Sequence, residues 1–445
     1  MATIPKLALI PSGYKAGKIY SVLPTNGVGD FDFTRNTTAT RINSSGLIET
    51  VASGKSRLNY PLIDGVVNGC PSHLLEPERT NLISYSEDFS NAAWNKINTT
   101  IQSDELISPN GSLNASKLST NNSNGVHIIT DALSGSLQMT YSVFFKKGEY
   151  KYGSMSLING GNSRGSGVVI DLDTFQVVSS QTSSSSFTFK ADNYGNGWIR
   201  CELTVTNTNS IISLAVIGSW NGIGSVTWNS GFRNPSYIGD SSKGVYIYGA
   251  QLEQGSYPTS YIPNYGTAAG ITRSAETANG AGDASTFNDS EGVLMAEVFI
   301  EEDIESNVNI SISNGVHEQN LIKFIYLPSE NAFKVQSYGS NNTILTTIQF
   351  FDFNLGQYNK VLLVYNSTTL KMYVNGFEVG SASVNGVPSG LNQLNFDRAD
   401  GSAPFYGNTK QIQYFDSALN DSDLEKITSW TSFTDLANGQ QYSIK

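Results

Sequence analysis

Residues 369–384 read TLKMYVNGFEVGSASV. Leu370, Met372 and Val374 alternate with Lys371 and Tyr373, the period of two that sets one face of a strand against a core. Asn375-Gly376 follows, a dipeptide that accepts the positive φ angles of a two-residue hairpin turn. Phe377 and Val379 then resume the alternation. Strand, tight turn and strand make an antiparallel β unit, and the question is how far that style extends along the chain.

It extends over most of it. Strand-like runs lie at 139–145, 155–158, 168–172, 187–190, 198–205, 211–218 and 245–251, separated by turn clusters such as NGGNSRGSG and NYGNG. GVLMAEVFIEE at 292–302 is another strand. Many short strands with polar turns between them predict β-sandwiches of jelly-roll type. The helix signal is confined to LNDSDLEKITSW at 419–430, where Ser422 and Glu425 have capping-box spacing and Leu424, Ile427 and Trp430 share a face. The expected fold class is all-β: an extended N-terminal segment (1–84), a β-sandwich (85–265), a polar Ala/Gly/Thr linker (266–290) and a second β-sandwich with a short C-terminal helix (291–445). The segment 1–84 is broken by Asp-Gly, Asn-Gly and prolines, so its apolar residues should pack on partners or on the next domain. VYIYGAQLEQGSYPTSYIPNYG at 245–266 reads as the last strand of the first sandwich followed by an exit turn, with Tyr257 and Tyr261 clamping it.

Composition excludes several functions. The chain of 445 residues has 15% charged and 11% aromatic residues, too aromatic and too weakly charged for disorder. A net charge of −11 without a basic run argues against nucleic-acid partners and a polybasic membrane contact. No apolar stretch of about 18 residues predicts membrane insertion. The start, MATIPKLALIPSGYKAGK, is interrupted by Pro5 and Pro11 and lacks a secretory core, so cytoplasmic synthesis without a signal peptide is expected. Cys70 and Cys201 read as two buried thiols, not as a disulfide framework.

Chemistry-bearing motifs are sparse. His73, His127 and His317 have no metal-ligand spacing. GYKAGK at 13–18 lacks the spacing and the following hydroxyl of a phosphate loop, and no GxSxG elbow occurs. Asp171 and Asp173 in VIDLDTF are either a calcium or acid/base pair or a strand end entering a turn. EEDIE at 301–305 is either a calcium-binding run or a solvated edge that discourages sheet pairing. NFDRADGSAPFYG at 395–407 carries Asp397, Arg398, Asp400 and Tyr406, either an internal Arg–Asp pairing or a sugar or calcium site on a sandwich rim. SWNGIGSVTWNSGFRNPSYIG at 219–239 carries Trp220 and Trp228 beside Asn221 and Asn229. Indole rings stack on the C–H faces of sugars while Asn binds hydroxyls, so these four are carbohydrate-binding candidates; a core role for Trp228 competes. No cofactor is called for, and calcium is left open.

A resemblance adds to these readings. LLEPERTNLISYSEDFSNAAWNK (74–96), YGNGWIRCELTV (194–205) and IYGAQLEQGSYPTSYIP (247–263) with its trailing TRSAE resemble segments of bacteriophage tail-fibre-like proteins. There they belong to a carbohydrate-binding-module-like jelly roll. The stretch from Ile10 to Glu49 resembles the shared start of phage head and tail fibres. Residues 291–430 resemble a laminin-G/concanavalin A-like lectin domain, with LLVYNSTTLKMYVNGFEVG as the back hairpin. The resemblance implies a non-enzymatic virion fibre, attached to other virion proteins through 1–84, homo-oligomeric (a trimer) and binding host cell-surface glycans. A structural decoration of the head, or a glycan depolymerase, is the alternative. The several-Asp calcium ladder of such lectins is not matched here, which puts metal dependence in doubt.

Overall fold

A computed structural model describes residues 4–161, 163–340 and 342–440, excepting the side chain of residue 433. Its described residues are almost wholly β, as the alternation predicts. The hairpin forms as read: Thr369–Val374 pairs antiparallel with Phe377–Ser383. Asn375 and Gly376 close the turn at φ 49° and 93°, both left-handed. Leu370, Met372 and Val374 point into the main core. Tyr373 on the opposite face is buried too, because helix α1 (Asp421–Thr428) covers that face with Leu424. A bulge between Met372 and Tyr373 shifts the register, and Phe377 ends 74% exposed instead of continuing the inward alternation.

The cap of α1 differs from the expected Ser422–Glu425 box. Asn420 is the N-cap: its side chain accepts from the Asp423 N–H at 3.0 Å and donates to the Asp423 carboxylate at 2.8 Å. The reciprocal pair is thus two residues earlier than the sequence suggested. Ile427 packs beside Leu424, whereas Trp430 lies past the helix under the Lys360 ammonium, 4.4 Å from the ring centre. A second short helix, α2 (Phe433–Gly439), follows without a periodic signal in the sequence.

Two sandwiches organise the strands. The first packs a six-stranded sheet against another. One sheet runs Asn95–Ile97, Ile128–Ala132, Leu214–Trp220, Tyr152–Asn159, Arg164–Asp171, Gln176–Ser183. The other runs Thr99–Ile107, Leu113–Thr120, Gly244–Gln254, Gln138–Lys146, Trp198–Asn207, Ser185–Gly195. Met139, Tyr141, Val143 and Phe145 meet Met155, Leu157 and Val168 between them. In the second sandwich a five-stranded sheet faces an eight-stranded one.

The N-terminal segment is woven into that eight-stranded sheet. Leu7–Leu9 and Ser72–Leu75 pair with Gly407–Phe415, and Arg57–Asn59 pairs with Ser72–Leu75. Leu7, Leu9, Ile19, Phe31, Phe33 and Leu75 belong to the second sandwich's core. These residues therefore pack on the last domain of their own chain, not on the next one in sequence. The stretch 266–290 is polar but not loose. Ile271–Arg273 pairs with Arg79–Asn81, and Thr277–Asn279 adds to Phe31–Thr34. Of the two thiols, Cys201 is buried and Cys70 is exposed, Cys70 lying outside any strand between Gly69 and Pro71. Among the described residues no helix is long and apolar enough to cross a membrane.

Replacing Gly376 by Val tests the hairpin. The new side chain would hold φ near 93° and start 2.8 Å from Ser429 Oγ. The expected cost is about 1–3 kcal/mol, read as a lower urea midpoint. An unchanged midpoint contradicts the turn assignment.

Candidate functional site

The carbohydrate candidates of the first sandwich separate into core and rim. Trp220 ends its strand inside the core, 8% exposed, with its ring 4.9 Å from that of Tyr152. Trp228 is half-buried at the core's edge and donates its indole N–H to Ser179 Oγ at 3.1 Å. Asn221 and Asn229 hold turns: Asn221 Oδ1 accepts from Ile223 N–H, and Asn229 Oδ1 accepts from Gly231 and Phe232 N–H. Their acceptors are turned toward backbone, and the loop tip between the two indoles is exposed, Ile223 to 76%.

The loop 395–407 brings two of its four candidates, Arg398 and Asp400, beside His317 and Glu318 of a distant turn. Asp397 is 1% exposed, accepts from Asn279 Nδ2 at 2.6 Å and Ala399 N–H at 2.6 Å, and is a structural pin. Burial pushes its carboxyl up. Arg398 pairs with neither aspartate; it reaches Glu318 at 3.6 Å and His317 at 3.3 Å. Asp400 caps its own turn through Ser402 and lies 3.9 Å from His317. Beneath them Lys323 is 1% exposed, and its ammonium lies 5.0 Å from the Tyr338 ring centre. Burial, with Arg398 nearby, lowers its amine to about 8. Tyr406 points elsewhere and packs on the second core. Asp171 accepts from the Asp173 and Thr174 N–H groups and pairs with Lys151, whereas the Asp173 carboxylate accepts from Lys147 Nζ at 2.5 Å, so the first holds a turn and the second a surface ion pair. His73 and His127 are buried; burial lowers His73 to about 3, and both His127 nitrogens face backbone carbonyls. Among the described residues no metal-binding group of His, Cys, Asp or Glu forms.

A concavity lies away from all eight carbohydrate candidates. A cleft of about 660 Å³ opens where both sandwiches and the N-terminal segment meet. The first sandwich supplies Lys190, Asp192, Tyr194, Arg200 and Glu202 from two adjacent strands, Ser185–Gly195 and Trp198–Asn207. Its exit loop supplies Ser256, Tyr257 and Thr259. The second sandwich contributes Glu301, Glu302 and Asp303, part of the EEDIE run, and the N-terminal segment contributes Arg41, Asn59 and Glu76. Ser256 Oγ ties the walls together by donating to the Asp303 carbonyl at 2.6 Å.

Two carboxylates in the cleft are held well above the ordinary carboxylate range by burial. Glu202 is 9% exposed, and its nearest cation is Arg200 Nε at 3.7 Å. Burial pushes its carboxyl up to about 7, against Arg200, with Asp192 adding repulsion. Glu301 on the opposite wall is likewise pushed up to about 7 by burial, against Lys190. Arg200 is fixed from behind, its Nη2 donating to Ser142 Oγ at 2.9 Å and the Thr259 carbonyl at 2.8 Å. Tyr257 lies under the Arg79 guanidinium, 5.6 Å away, as the expected clamp of the exit turn. Tyr261, the second clamp, is buried edge-on against Phe144.

The floor of this junction is a buried ionic cluster. Glu276 accepts from Arg35 Nη1 at 2.6 Å and Arg57 Nε at 2.9 Å. Glu76 accepts from Arg273 Nη1 at 2.6 Å and from the Ser260 hydroxyl and N–H at 2.6 and 2.7 Å. Arg57 bridges the two, its Nη1 lying 2.7 Å from Glu76. Burial pushes the Glu76 carboxyl up, but Arg273 and Arg57 outweigh it and hold it at about 2. The members come from three distant stretches, which is why no local pattern revealed them. The one available signal was the recurrence of Arg and Glu in otherwise charge-poor segments.

Residues 303–425 match the family model described as the concanavalin A-like lectin/glucanases superfamily. Among solved structures, the chain is similar to the carbohydrate-binding module of a Ruminococcus gnavus sialidase bound to α2,3-sialyllactose. That match has TM-score 0.29 and 15% identity, covering 34% of this chain and 87% of that one. It is also similar to domain 4 of a Geobacillus stearothermophilus arabinanase in complex with arabinotriose, with TM-score 0.28, 15% identity, and coverage of 35% and 73%. Domains LG4-5 of mouse laminin α1 give TM-score 0.23 and 9% identity over 67% of this chain and 89% of that one. No curated protein sequence matches. The chain thus carries a lectin-like β-sandwich in an all-β framework.

Two outcomes follow for the junction. Removing one partner of the buried cluster, as in Glu276→Ala, strands the charges of Arg35 and Arg57; the expected loss is about 3–5 kcal/mol by urea unfolding, and a loss under about 1 kcal/mol contradicts the cluster's role. Stability should also bend with pH in two limbs. Glu76 has a folded value below its ordinary 4.5, so its contribution is present above 4.5 and is lost as pH falls toward about 2. Glu202 and Glu301 have raised values, so their contribution is full below 4.5 and is lost as pH rises through about 7. Melting scans of Glu202→Gln should show a flatter upper limb; an identical limb contradicts the burial of that carboxylate.

Proposed function

We propose that this chain is a bacteriophage virion fibre protein that binds host-surface glycans through its β-sandwiches, with the junction cleft as the binding site. The observation that carries glycan binding is the chemistry of that cleft. Hydroxyl and amide groups (Thr188, Thr204, Asn59, Asn408) alternate with carboxylates and guanidinium groups, and the rings of Phe189, Tyr194 and Tyr257 lie among them. Sugars need both: hydrogen-bond partners for hydroxyls and flat apolar faces for C–H groups. The lectin-like match of 303–425 supports the same reading.

The fibre role rests on the sequence resemblance of 10–49, 74–96 and 247–263 to phage fibres, and on exposed apolar side chains near the start. Ile4, Ile10, Tyr14 and Tyr20 are 76%, 44%, 48% and 37% exposed, an apolar set available for docking on other virion proteins or on sister subunits of a trimer. Modest sites repeated in an oligomer gain avidity without new contacts. One observation favours a second reading, glycan depolymerisation: Glu202 and Glu301 are carboxyls with raised values in one cleft, the property a general acid needs.

A glycan array probed with the full chain should show binding, weakened about tenfold or more by Tyr257→Ala and left within about twofold by Trp228→Ala and Arg398→Ala. Absence of binding to any glycan or host cell defeats the proposal. Shortened polysaccharide after incubation would replace it with the depolymerase reading. Labelling of intact particles with antibodies to residues 1–84 tests the fibre role, and absence from the particle overturns it.

A further inference from the structure

His73 sits in the strand that ties the N-terminal segment to the second sandwich. Ser72–Leu75 pairs on one side with Arg57–Asn59 and on the other with Gly407–Phe415, so Leu58 and Thr409 lie directly across from the imidazole. Residues directly across share a face, and Leu75, two positions on, places that face in the apolar core. His73 is 1% exposed, and neither ring nitrogen has a hydrogen-bond partner among the described residues. The Thr409 hydroxyl, buried as well, has none either. A buried histidine ordinarily has both nitrogens engaged, as those of His127 are against backbone carbonyls. The charged groups of the neighbouring elements are engaged elsewhere. Arg57 and Glu76 belong to the ionic cluster with Arg35, Arg273 and Glu276. Lys410 lies over the Tyr358 ring, 3.9 Å from its centre and 4.0 Å from Glu297, with the Cys70 thiol acting on it. None of these acts on the imidazole: burial alone lowers it to about 3 from its ordinary 6.5. A proton on His73 is therefore a buried charge without a counter-charge, and exposure to water relieves it.

We propose that His73 is an acid-sensitive latch: its protonation unpairs Ser72–Leu75 from Gly407–Phe415 and loosens the joint between the N-terminal segment and the second sandwich. The opening is regional. Displacing Ser72–Leu75 also moves Arg57 on the strand beside it and Glu76 just past its end, two members of the ionic cluster. The central strands of the first sandwich, Gln138–Lys146 and Trp198–Asn207, carry no histidine. The folded value of His73 lies below its ordinary one, so the closed state is favoured above 6.5 and loses ground as pH falls toward about 3. Glu76 yields only below 4.5, and the raised carboxyls Glu202 and Glu301 act in the opposite direction over the same window. A region that loosens between neutral and mildly acid pH therefore reports the histidine.

Hydrogen exchange of the full chain, read by mass spectrometry at about pH 7.5 and about pH 5 and corrected for the intrinsic rate, tests this. The opening constant over 57–59, 72–75 and 407–409 should rise about thirtyfold at the lower pH, the ratio required by a value of 6.5 when open and about 3 when closed. Over 139–145 and 199–205 it should change less than about threefold. His73→Phe, which fills the same face without titrating, and His73→Gln should each reduce the rise to less than about threefold. An equal rise in both regions of the wild type makes the acid effect global and overturns the latch. A full rise that persists in either folded variant overturns the assignment to His73. Absence of any rise in the wild type overturns the proposal outright, and this regional comparison decides even where neither variant folds.

Discussion

Glu276 and Glu76, locked between Arg35, Arg57 and Arg273, are the constraint on which the arrangement of this molecule depends. All five side chains are buried or nearly so. Such a group gives little net stability over apolar packing, because desolvation consumes most of its attraction. What it provides is uniqueness: three guanidinium groups accept one arrangement of two carboxylates, and any slip leaves a charge stranded. Arg35 and Arg57 come from the N-terminal segment, Glu76 from just past its strand Ser72–Leu75, and Arg273 and Glu276 from the stretch between the sandwiches. Residues that look like a leader and a linker are thereby made the joint of the structure.

The cleft follows from that joint. With the N-terminal strands paired into the eight-stranded sheet and Glu76 accepting from Ser260 on the exit loop, the first sandwich is held beside the second at a fixed approach. Its strands Ser185–Gly195 and Trp198–Asn207 then present alternate side chains to the gap. Alternation that would ordinarily face water instead faces a second wall, so Glu202 loses hydration and keeps only a long ion pair with Arg200, at 3.7 Å. The cleft's chemistry is thus a consequence of sheet register and domain approach, not of a loop motif.

The local rules were legible and the distant ones were not. Asn375-Gly376 made its turn because two left-handed residues admit no other short connection between twisted strands. The run 139–145 became Gln138–Lys146 because alternating large side chains fit a sandwich core. The 419–430 helix was visible through its apolar face, yet its cap was misread, since Asn420 and Ser422 both have a carboxylate three residues on and only packing of Leu424 sets which one starts the helix. Among site candidates, Trp220 and Asp397 proved internal: sequence shows ring and charge but not the sheet that covers them. The junction cleft was invisible because its walls lie about a hundred residues apart in sequence, and the EEDIE run reads as a solvated edge until the other sandwich is set against it.

The most direct test of this account is a crystal structure of the full chain soaked with whichever glycan it binds most tightly. The account predicts sugar density in the junction cleft, with donors on the carboxylates of Glu202 and Glu301 and a ring face on Tyr257. Density on the Trp228 loop or beside Arg398 and Asp400, with the cleft holding only water, would contradict it.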